Sequence, residues 1–572
     1  MVKKAVTEKV PKVTSLAMPL FEPGMSVMHR AGLGGLACSL RSIERRLKEG
    51  VIDEDDVPGS PWINGKPPWK IEGDHVILEF GKAENAAVFL QRIFELSFRV
   101  LNKNGNEVVY LPGQFLGEPS ISVLADSQSA ITLTFLQHGL TRTLAKSPVT
   151  LQIDAEGDGS KMIPVEFKSC SKYKHQDGWK NLVDKDGSIN TSPIEVSGPL
   201  NPGAVVRHVA YTSTTRIEDP IVRVLPLYFA IVGCLALPIN RGVGVLIVPE
   251  VDNLVEFSRL RPLMSPRSAR DCRVGGASDA AFQCQLRILS SKEMEKSRVP
   301  SCTAILFRST PWASQQKSRV NAIEIPAGDY KSLRTFELAV KELAPRVITS
   351  VAPSDAAKAT RAKVKATKRK SKPASSAIVE KAPEHFWSDS IVRPLVADNL
   401  AQGQPWYRGF HDLMTKLDPV SKKPKRSKLS FEKAGLKNMV ENVEWKDEGE
   451  KAIVLAVHQA IKQRLGQIAG ENKGKSGTMR NRMQGEFDKW RLAFSGAKTS
   501  DQFRKSICDL FGRAGINPVL KEHWTSIVPW LSSPTKWKLA RDLSLLALAS
   551  YTGTGAKEVE LDDVTPPITE VS

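Results

Sequence analysis

Residues 354–382 set Lys358, Arg361, Lys363, Lys365, Lys368, Arg369, Lys370 and Lys372 among Ala, Ser and Thr, with no aromatic residue. Such a run has too little apolar surface to offset the entropy of ordering it, and its like charges repel. It reads as a solvated basic linker, so no single core runs through the 572-residue chain. A chain of this length also exceeds what one core usually serves. The expected division is a mixed body over 1–353, a flexible linker over 354–382, a helical bundle over 383–556 and a disordered tail over 557–572. The fold class is α+β, a mixed α/β N-terminal body with substantial β-sheet followed by an all-α C-terminal bundle.

In the body, residues 25–49 place Leu33, Leu36, Leu40, Ile43 and Leu47 at helical spacing. Arg41, Arg45, Arg46 and Lys48 take the other face, and Gly50 is a natural stop. Gly32, Gly34 and Gly35 look like half of a phosphate loop, but the order lacks the full G-x-G-x-x-G and no clear strand precedes it. Close packing against a neighbouring helix explains them better. A Gly- and Pro-rich loop over 58–69 precedes a strand at 75–80, a helix over 83–102, a turn at 102–106 and extended chain at 107–111. Short β-type runs follow at 131–135, 162–167, 205–211, 243–248, 283–289, 303–308 and 321–325. The uncharged stretch from Val224 to Asn240 is short for a bilayer and carries Pro226 and Pro238, so it reads as a buried pair of core elements.

Beyond the linker the period turns helical. Ile453, Val457, Ala460, Ile461, Leu465 and Ile468 form one stripe. Thr499 caps a helix running to Ala514, with Gly515 at its end, and Ser533-Pro534 reads as the start of the last helix. Seven tryptophans, from Trp387 to Trp537, supply bulk for the bundle.

Lys and Arg number 81 against 62 Asp and Glu, a formal net charge of +19. That surplus points to a polyanionic partner, nucleic acid ahead of an anionic membrane. The seven cysteines are dispersed without a C-x-x-C pair, which argues against zinc knuckles and fits free thiols in a reducing compartment. No apolar core follows the basic N-terminus, and a cytoplasmic location is expected.

Catalysis has one candidate address. Asp154 or Asp158 with Glu166 and Lys168 matches the Asp…Glu-x-Lys pattern of metal-dependent nucleases, in which two carboxylates hold the ion. Stray triplets are common in so charged a chain, and Gly157-Asp158-Gly159 also reads as a hairpin turn. His75, His138 and His208 are isolated, and no nucleotide-hydrolysing phosphate loop or nucleophile elbow occurs. We expect no catalytic residues, no metal and no cofactor.

Binding has more addresses. The segment 307–319 mixes Trp312 with Gln315, Gln316, Lys317 and Arg319, a set suited to stacking on a base while cations hold the backbone. A polar hairpin with Trp312 buried is the competing reading. The turns carrying Asn64 and Lys66, and Asn102, Lys103 and Asn104, suit entry into a duplex minor groove, although Asn-Gly is also plain turn chemistry. Lys422, Lys423, Lys425, Arg426 and Lys428, with Lys473, Lys475, Arg480 and Arg482, can form a basic track for a single strand, or solvated loop charge.

The run from Leu16 to Met25, leading into His29-Arg30-Ala31-Gly32-Leu33-Gly34-Gly35-Leu36-Ala37-Cys38, resembles the opening of the large subunits of type I-B, Myxan-like CRISPR Cascade complexes. Pro311 to Lys317 carries the same likeness. The resemblance implies a non-catalytic subunit that recognises the protospacer-adjacent motif, contacts the guide RNA 5′ handle and stabilises the R-loop. Asn64, Lys66, Asn102, Lys103 and Asn104 are the motif-reading candidates. Arg30, Trp312, Gln315, Gln316, Lys317 and Arg319 are candidates for guide RNA or DNA backbone. The track from Lys422 to Arg482 is the candidate for the displaced strand. Implied partners are guide RNA, target double-stranded DNA, the repeated backbone subunit, the handle-binding subunit and helical small subunits, with a helicase–nuclease or transposition proteins downstream. No membrane is implied. An internal start at Met439, or at Met414, is a further implication, yielding a separate small subunit.

Overall fold

A computed structural model describes residues 13–553, apart from 60–61, 63–64, 104, 138, 156–158, 203–216, 240–241, 291–299, 311–312, 327–329, 351–383, 419–421, 423 and 473–475. The expected linker and tail therefore lie outside the described residues, as does the strand expected at 205–211. The described residues fall into two compact units: one from 1–150, 166–337 and 397–404, the other from 151–165, 338–396 and 405–572. The expected fold class holds: small sheets mixed with helices come first, and helices dominate the C-terminal region.

The first unit opens with β1 (Ser15–Pro19) and α1 (Val27–Lys48), then β2 (Trp69–Ile71) and β3 (His75–Glu79). Strand β3 lies between β1 and β2 in an antiparallel sheet. Helix α1 starts on a reciprocal cap: Ser26 Oγ accepts from His29 N, and Ser26 N donates to His29 Nδ1. It ends with Arg45, Arg46 and Lys48 against its own dipole, and Gly50 follows at φ 68°.

Next come α2 (Ala86–Ser97), the hairpin of β4 (Arg99–Lys103) and β5 (Asn106–Tyr110), and α3 (Ile121–Leu133). Of the strands β6 (Arg142–Leu144), β7 (Val149–Asp154), β8 (Met162–Phe167) and β9 (Cys170–Tyr173), β6 pairs with β9 and β7 with β8, the hairpin residues 151–165 being assigned to the second unit. A two-residue pair, β10 (Ile194–Glu195) and β11 (Glu218–Asp219), precedes α4 (Ile221–Gly233). An antiparallel meander follows in the order β12 (Leu235–Ile239), β13 (Val243–Pro249), β14 (Cys302–Thr310) and β15 (Ala313–Ile325). Helices α5 (Leu254–Met264) and α6 (Ala277–Leu289) lie between β13 and β14, and α7 (Tyr330–Glu342) follows β15.

The close crossing of α1 and α4 organises this unit. A Cβ added to Gly32 would stand 2.2 Å from Pro226 O, and one on Gly35 would stand 2.2 Å from Phe229 O. From the other side, a Cβ on Gly233 would meet Ala31 O at 1.8 Å. The two backbones touch because neither carries side chains there. The glycines are a packing device, as the sequence favoured, and the uncharged stretch becomes α4 and β12, an almost wholly buried pair.

Four expectations need correction. The helix expected over 83–102 stops at Ser97, because Arg99–Lys103 pairs with β5 across a tight turn. The run 131–135 is the tail of α3 and the turn after it; β-branched Ile131 and Thr132 suggested a strand, but packing on β12 decides the matter. The run 283–289 is helical, in α6. Its alternation mimics a strand because Gln283 and Gln285 are buried and bonded, Gln285 Nε2 to Pro300 O and Pro326 O at 3.3 and 3.2 Å. The last helix begins at Trp537, not at Pro534; Ser533 Oγ accepts from Thr535 N and Lys536 N in the preceding turn.

In the second unit β16 (Arg346–Ser350) pairs with β17 (Glu384–Ser388). Helices follow: α8 (Val392–Ala401), whose residues from 397 on are assigned to the first unit, then α9 (Phe410–Thr415), α10 (Arg426–Asn442), α11 (Glu448–Glu471), α12 (Ser476–Gly496), α13 (Ser500–Ala514), α14 (Pro518–Glu522), α15 (Trp524–Ser532) and α16 (Trp537–Ser550). The stripe of α11 is buried at Ile453, Val457, Ala460, Ile461 and Ile468. Thr499 caps α13 through Gln502 N, as expected. Buried Asp542 accepts from Gly409 N and His411 N at 2.8 and 3.1 Å, tying α16 to the start of α9.

Candidate nucleic-acid interface

The Asn and Lys turns divide. Asn64 lies outside the described residues, while Lys66 beside it is exposed and has no ion pair among the described residues. Gly65, at φ 66°, shapes that turn. Asn102 Oδ1 accepts from Gly105 N at 3.0 Å and so closes its own hairpin turn. Lys103 Nζ pairs with Glu118, and Asn104 lies outside the described residues.

Arg30 rises from α1 over exposed Phe21, 5.8 Å from the ring centroid, with Nη2 3.5 Å from Glu250 Oε1. Trp312 lies outside the described residues. Gln315, Gln316, Lys317 and Arg319 stand on β15, whose register with β14 is broken by irregularities at Leu306/Phe307 and Ser309/Thr310. The sequence implied a link between strands at 303–308 and 321–325, but most of the segment is itself strand, 307–310 in β14 and 313–319 in β15.

On the bundle, Lys422 is exposed at φ 54°, Lys425 precedes α10, and Arg426 and Lys428 lie on its first turn. Lys428 Nζ is 3.9 Å from Asp418, and Arg426 helps to hold the Asp488 carboxyl of α12 below its ordinary range. Arg480 is exposed on α12, and Arg482 Nη2 is 3.0 Å from Glu471. Lys423, Lys473 and Lys475 lie outside the described residues.

The nuclease pattern lies only partly within the described residues. Asp154 Oδ2 accepts from Gly159 N at 2.7 Å, closing the turn of the β7–β8 hairpin, and Asp158 lies outside the described residues. Among the described residues the one cluster with metal-ligand spacing is Glu72, Asp74 and His75, which includes neither Asp154 nor Glu166. Six of the seven cysteines are buried, and burial pushes the thiols of Cys38 and Cys234 up to about 12, so they stay protonated.

A cavity of ≈ 470 Å³ opens beside α1, between the 112–116 turn and α5. Arg41, Ser42 and Arg45 reach it from α1, Phe115 and Leu116 from the turn, and Arg259 from α5. Its lining contains no carboxylate. Buried polar bonds fix all three walls. Arg261, wholly buried, donates from Nε to Gly233 O and from Nη2 to Cys234 O at 2.8 and 2.7 Å, and from Nη1 to Ser265 Oγ at 2.9 Å. Ser265 Oγ donates in turn to Gln114 O, and Gln114 Nε2 to Ile231 O. Arg45 Nη2 donates to Phe115 O at 2.9 Å. Gly113 lets the turn press on α1, since a Cβ there would lie 3.1 Å from Ser39 N.

The sequence placed Arg41 and Arg45 on the polar face of α1 but not in a site, and it gave no sign of Arg259. Spacing within one helix cannot show a cation delivered from a helix two hundred residues on. Arg46, assigned to the same face, turns inward instead, donating to Leu96 O at 3.1 Å. Burial, the largest effect, lowers its pKa.

Residues 17–228 match the DevT N-terminal domain, and residues 441–570 match the DevT C-terminal domain, so the chain has the two-part make-up of DevT proteins. It is also 32% identical over 569 residues to the CRISPR-associated protein Cas8a1/Csx13 of Myxococcus xanthus strain DK1622, an alignment covering 96% of this chain and 90% of that protein. The chain belongs to the Cas8a1/Csx13 family of CRISPR-associated proteins. No helix among the described residues is long and apolar enough to cross a membrane.

Proposed function

We propose that this protein is the large subunit of a type I-B CRISPR Cascade ribonucleoprotein, and that it binds nucleic acid without cutting it. Family membership across nearly the whole chain carries the reading, and the net charge of +19 supports it. In this role the protein recognises the protospacer-adjacent motif in target duplex DNA, contacts the guide RNA handle and stabilises the R-loop, while base pairing reads the sequence. A comparable division of labour is known in other RNA-guided effectors. Its partners are the guide RNA, the repeated backbone subunit, the handle-binding subunit and small helical subunits, and it works in the cytoplasm. A helicase–nuclease or transposition proteins act after it.

The test is reconstitution. Particles assembled with this chain should capture a target duplex carrying the flanking motif and leave it intact in magnesium. Particles without the chain should fail to capture it. Magnesium-dependent cleavage by the chain alone, abolished in Glu166→Ala, would reverse the reading in favour of a nuclease.

A second product is part of the proposal. The matched C-terminal domain starts at residue 441, two positions beyond Met439, the candidate internal start. Met439→Leu should remove a C-terminal species from immunoblots; an unchanged band pattern would refute that start.

A further inference from the structure

We propose that the cavity bounded by Arg41, Ser42, Arg45 and Arg259 is a preformed seat for a phosphate group of a single-stranded nucleic acid. The inference deepens the function proposed above and rests on it only for the source of the phosphate. The seat itself is a property of the isolated chain.

Three guanidinium groups line one cavity without a carboxylate in its walls. Arg41 and Arg259 make no hydrogen bond or ion pair among the described residues, and the Arg259 charge, after burial, further disfavours the Arg41 cation. Arginine keeps its charge regardless, so the free protein holds two like charges that an anion would relieve. Neighbouring acids do little to cancel them. Glu44 attracts Arg41 from outside the lining but is engaged with Trp69 Nε1, and Glu49 is 3.9 Å from Arg45 Nε.

The second observation is independent of charge. Ser42 is 4% exposed, and its hydroxyl has no hydrogen-bond partner. A helical serine normally donates to the carbonyl one turn back, as Ser39 does to Gly35 O at 3.0 Å. Arg45 Nε is likewise buried without an acceptor. Both atoms are closed off from solvent, so a phosphate meets them only after a small shift of the Ser42 and Arg45 side chains; beside the cations they then complement a group that accepts from several donors at once.

The rest of the lining narrows the ligand. Phe115, Leu116, Pro262 and Leu263 give the cavity an apolar side. A sugar or base can pack there while its phosphate meets the arginines, whereas a bare inorganic ion would leave that side unused. An unpaired strand presents both faces together.

The test uses the full chain and three probes. Inorganic phosphate should raise the melting temperature of the wild type, and the shift should vanish in the double variant Arg41→Gln/Arg259→Gln. Without phosphate that variant should melt no lower than wild type, because it loses a repulsion; this separates binding from folding. Labelled single-stranded RNA and DNA of one sequence should then bind the double variant about tenfold more weakly, with the salt slope falling by roughly 0.7 for one lost phosphate contact. Lys505→Gln/Lys521→Gln, which removes the same charge from exposed bundle positions, should change the slope less. Preference for the ribo-strand assigns the phosphate to RNA, and equal binding assigns it to the backbone common to both. An identical phosphate shift and slope in wild type and Arg41→Gln/Arg259→Gln would overturn the proposal.

Discussion

Helix α1 of the first unit and helix α11 of the second have similar lengths, 22 and 24 residues, and both contain glycines. In α1, Gly32 and Gly35 are buried at backbone-to-backbone contacts, where a Cβ on Gly35 would sit 2.2 Å from Phe229 O, while Gly34 faces the Phe257 ring. In α11 a Cβ on Gly466 would meet nothing within 4 Å, although one on Gly449, in the first turn, would stand 2.5 Å from Ser526 O. Charges differ in the same way. Around the α1 crossing a buried guanidinium and a chain of polar bonds fix the walls of a cavity, with Arg45 bonded to Phe115 O while Arg41 and the exposed Arg259 line it without such bonds. On the bundle exposed cations pair along their own helix, as Arg513 does with Asp509 and Arg504 with Asp501. Exposed pairs of that kind contribute little to stability. The first unit brings two helices together along several glycines, whereas in the described part of the second close backbone approach falls at separate glycines, Gly435 against Glu342 O and Gly449 against Ser526 O.

The largest effect that can break this contrast is steric. Gly35→Ala should destabilise the first unit by about 3 kcal/mol, because a backbone rather than a flexible side chain stands in the way. Gly466→Ala should instead add about 0.8 kcal/mol to the second, from helix propensity. Chemical denaturation with probes on each unit checks both; equal effects would erase the distinction.

A second contrast is in acid. His175 is enclosed by Phe98, Phe135, Tyr173 and Tyr228, and neither ring nitrogen has a hydrogen-bond partner. Burial lowers its pKa from 6.5 to about 3. Below pH 6.5 the unfolded chain takes up a proton that the folded chain refuses, so this contribution to stability is full above 6.5 and fades as pH falls toward 3. The slope is about 1.4 kcal/mol per pH unit. His175→Phe should flatten it in denaturation curves of the first unit. His458 of the bundle, lowered to about 4 by burial and bonded to Ala547 O at 3.0 Å, should leave a shallower total loss there.

The smallest expected effect distinguishes the two basic turns of the first unit. Lys66→Gln should lower the log–log salt slope of DNA capture by about one if it meets phosphate. Lys103→Gln should lower it less, because Lys103 must first leave Glu118. Equal slopes for both variants would mean that the ion pair is immaterial.

Much of this was legible in the chain itself. The period of α1, the cap at Thr499, the β14–β15 hairpin and the role of Gly32 and Gly35 all follow from local spacing and turn chemistry. Misreadings fell where tertiary contacts override local pattern: buried glutamines made α6 look like a strand, and hairpin pairing ended α2 early. The cavity was illegible for a related reason. Arg41 and Arg259 are far apart in sequence, and they share it only because Gly32, Gly35 and Gly233 let α1 and α4 touch while Arg261 fastens α5 alongside.

The most direct measurement is extraction of nucleic acid from the particle purified from its native host. The account predicts a discrete RNA species held with several copies of a backbone subunit, released intact. A particle free of RNA would contradict it.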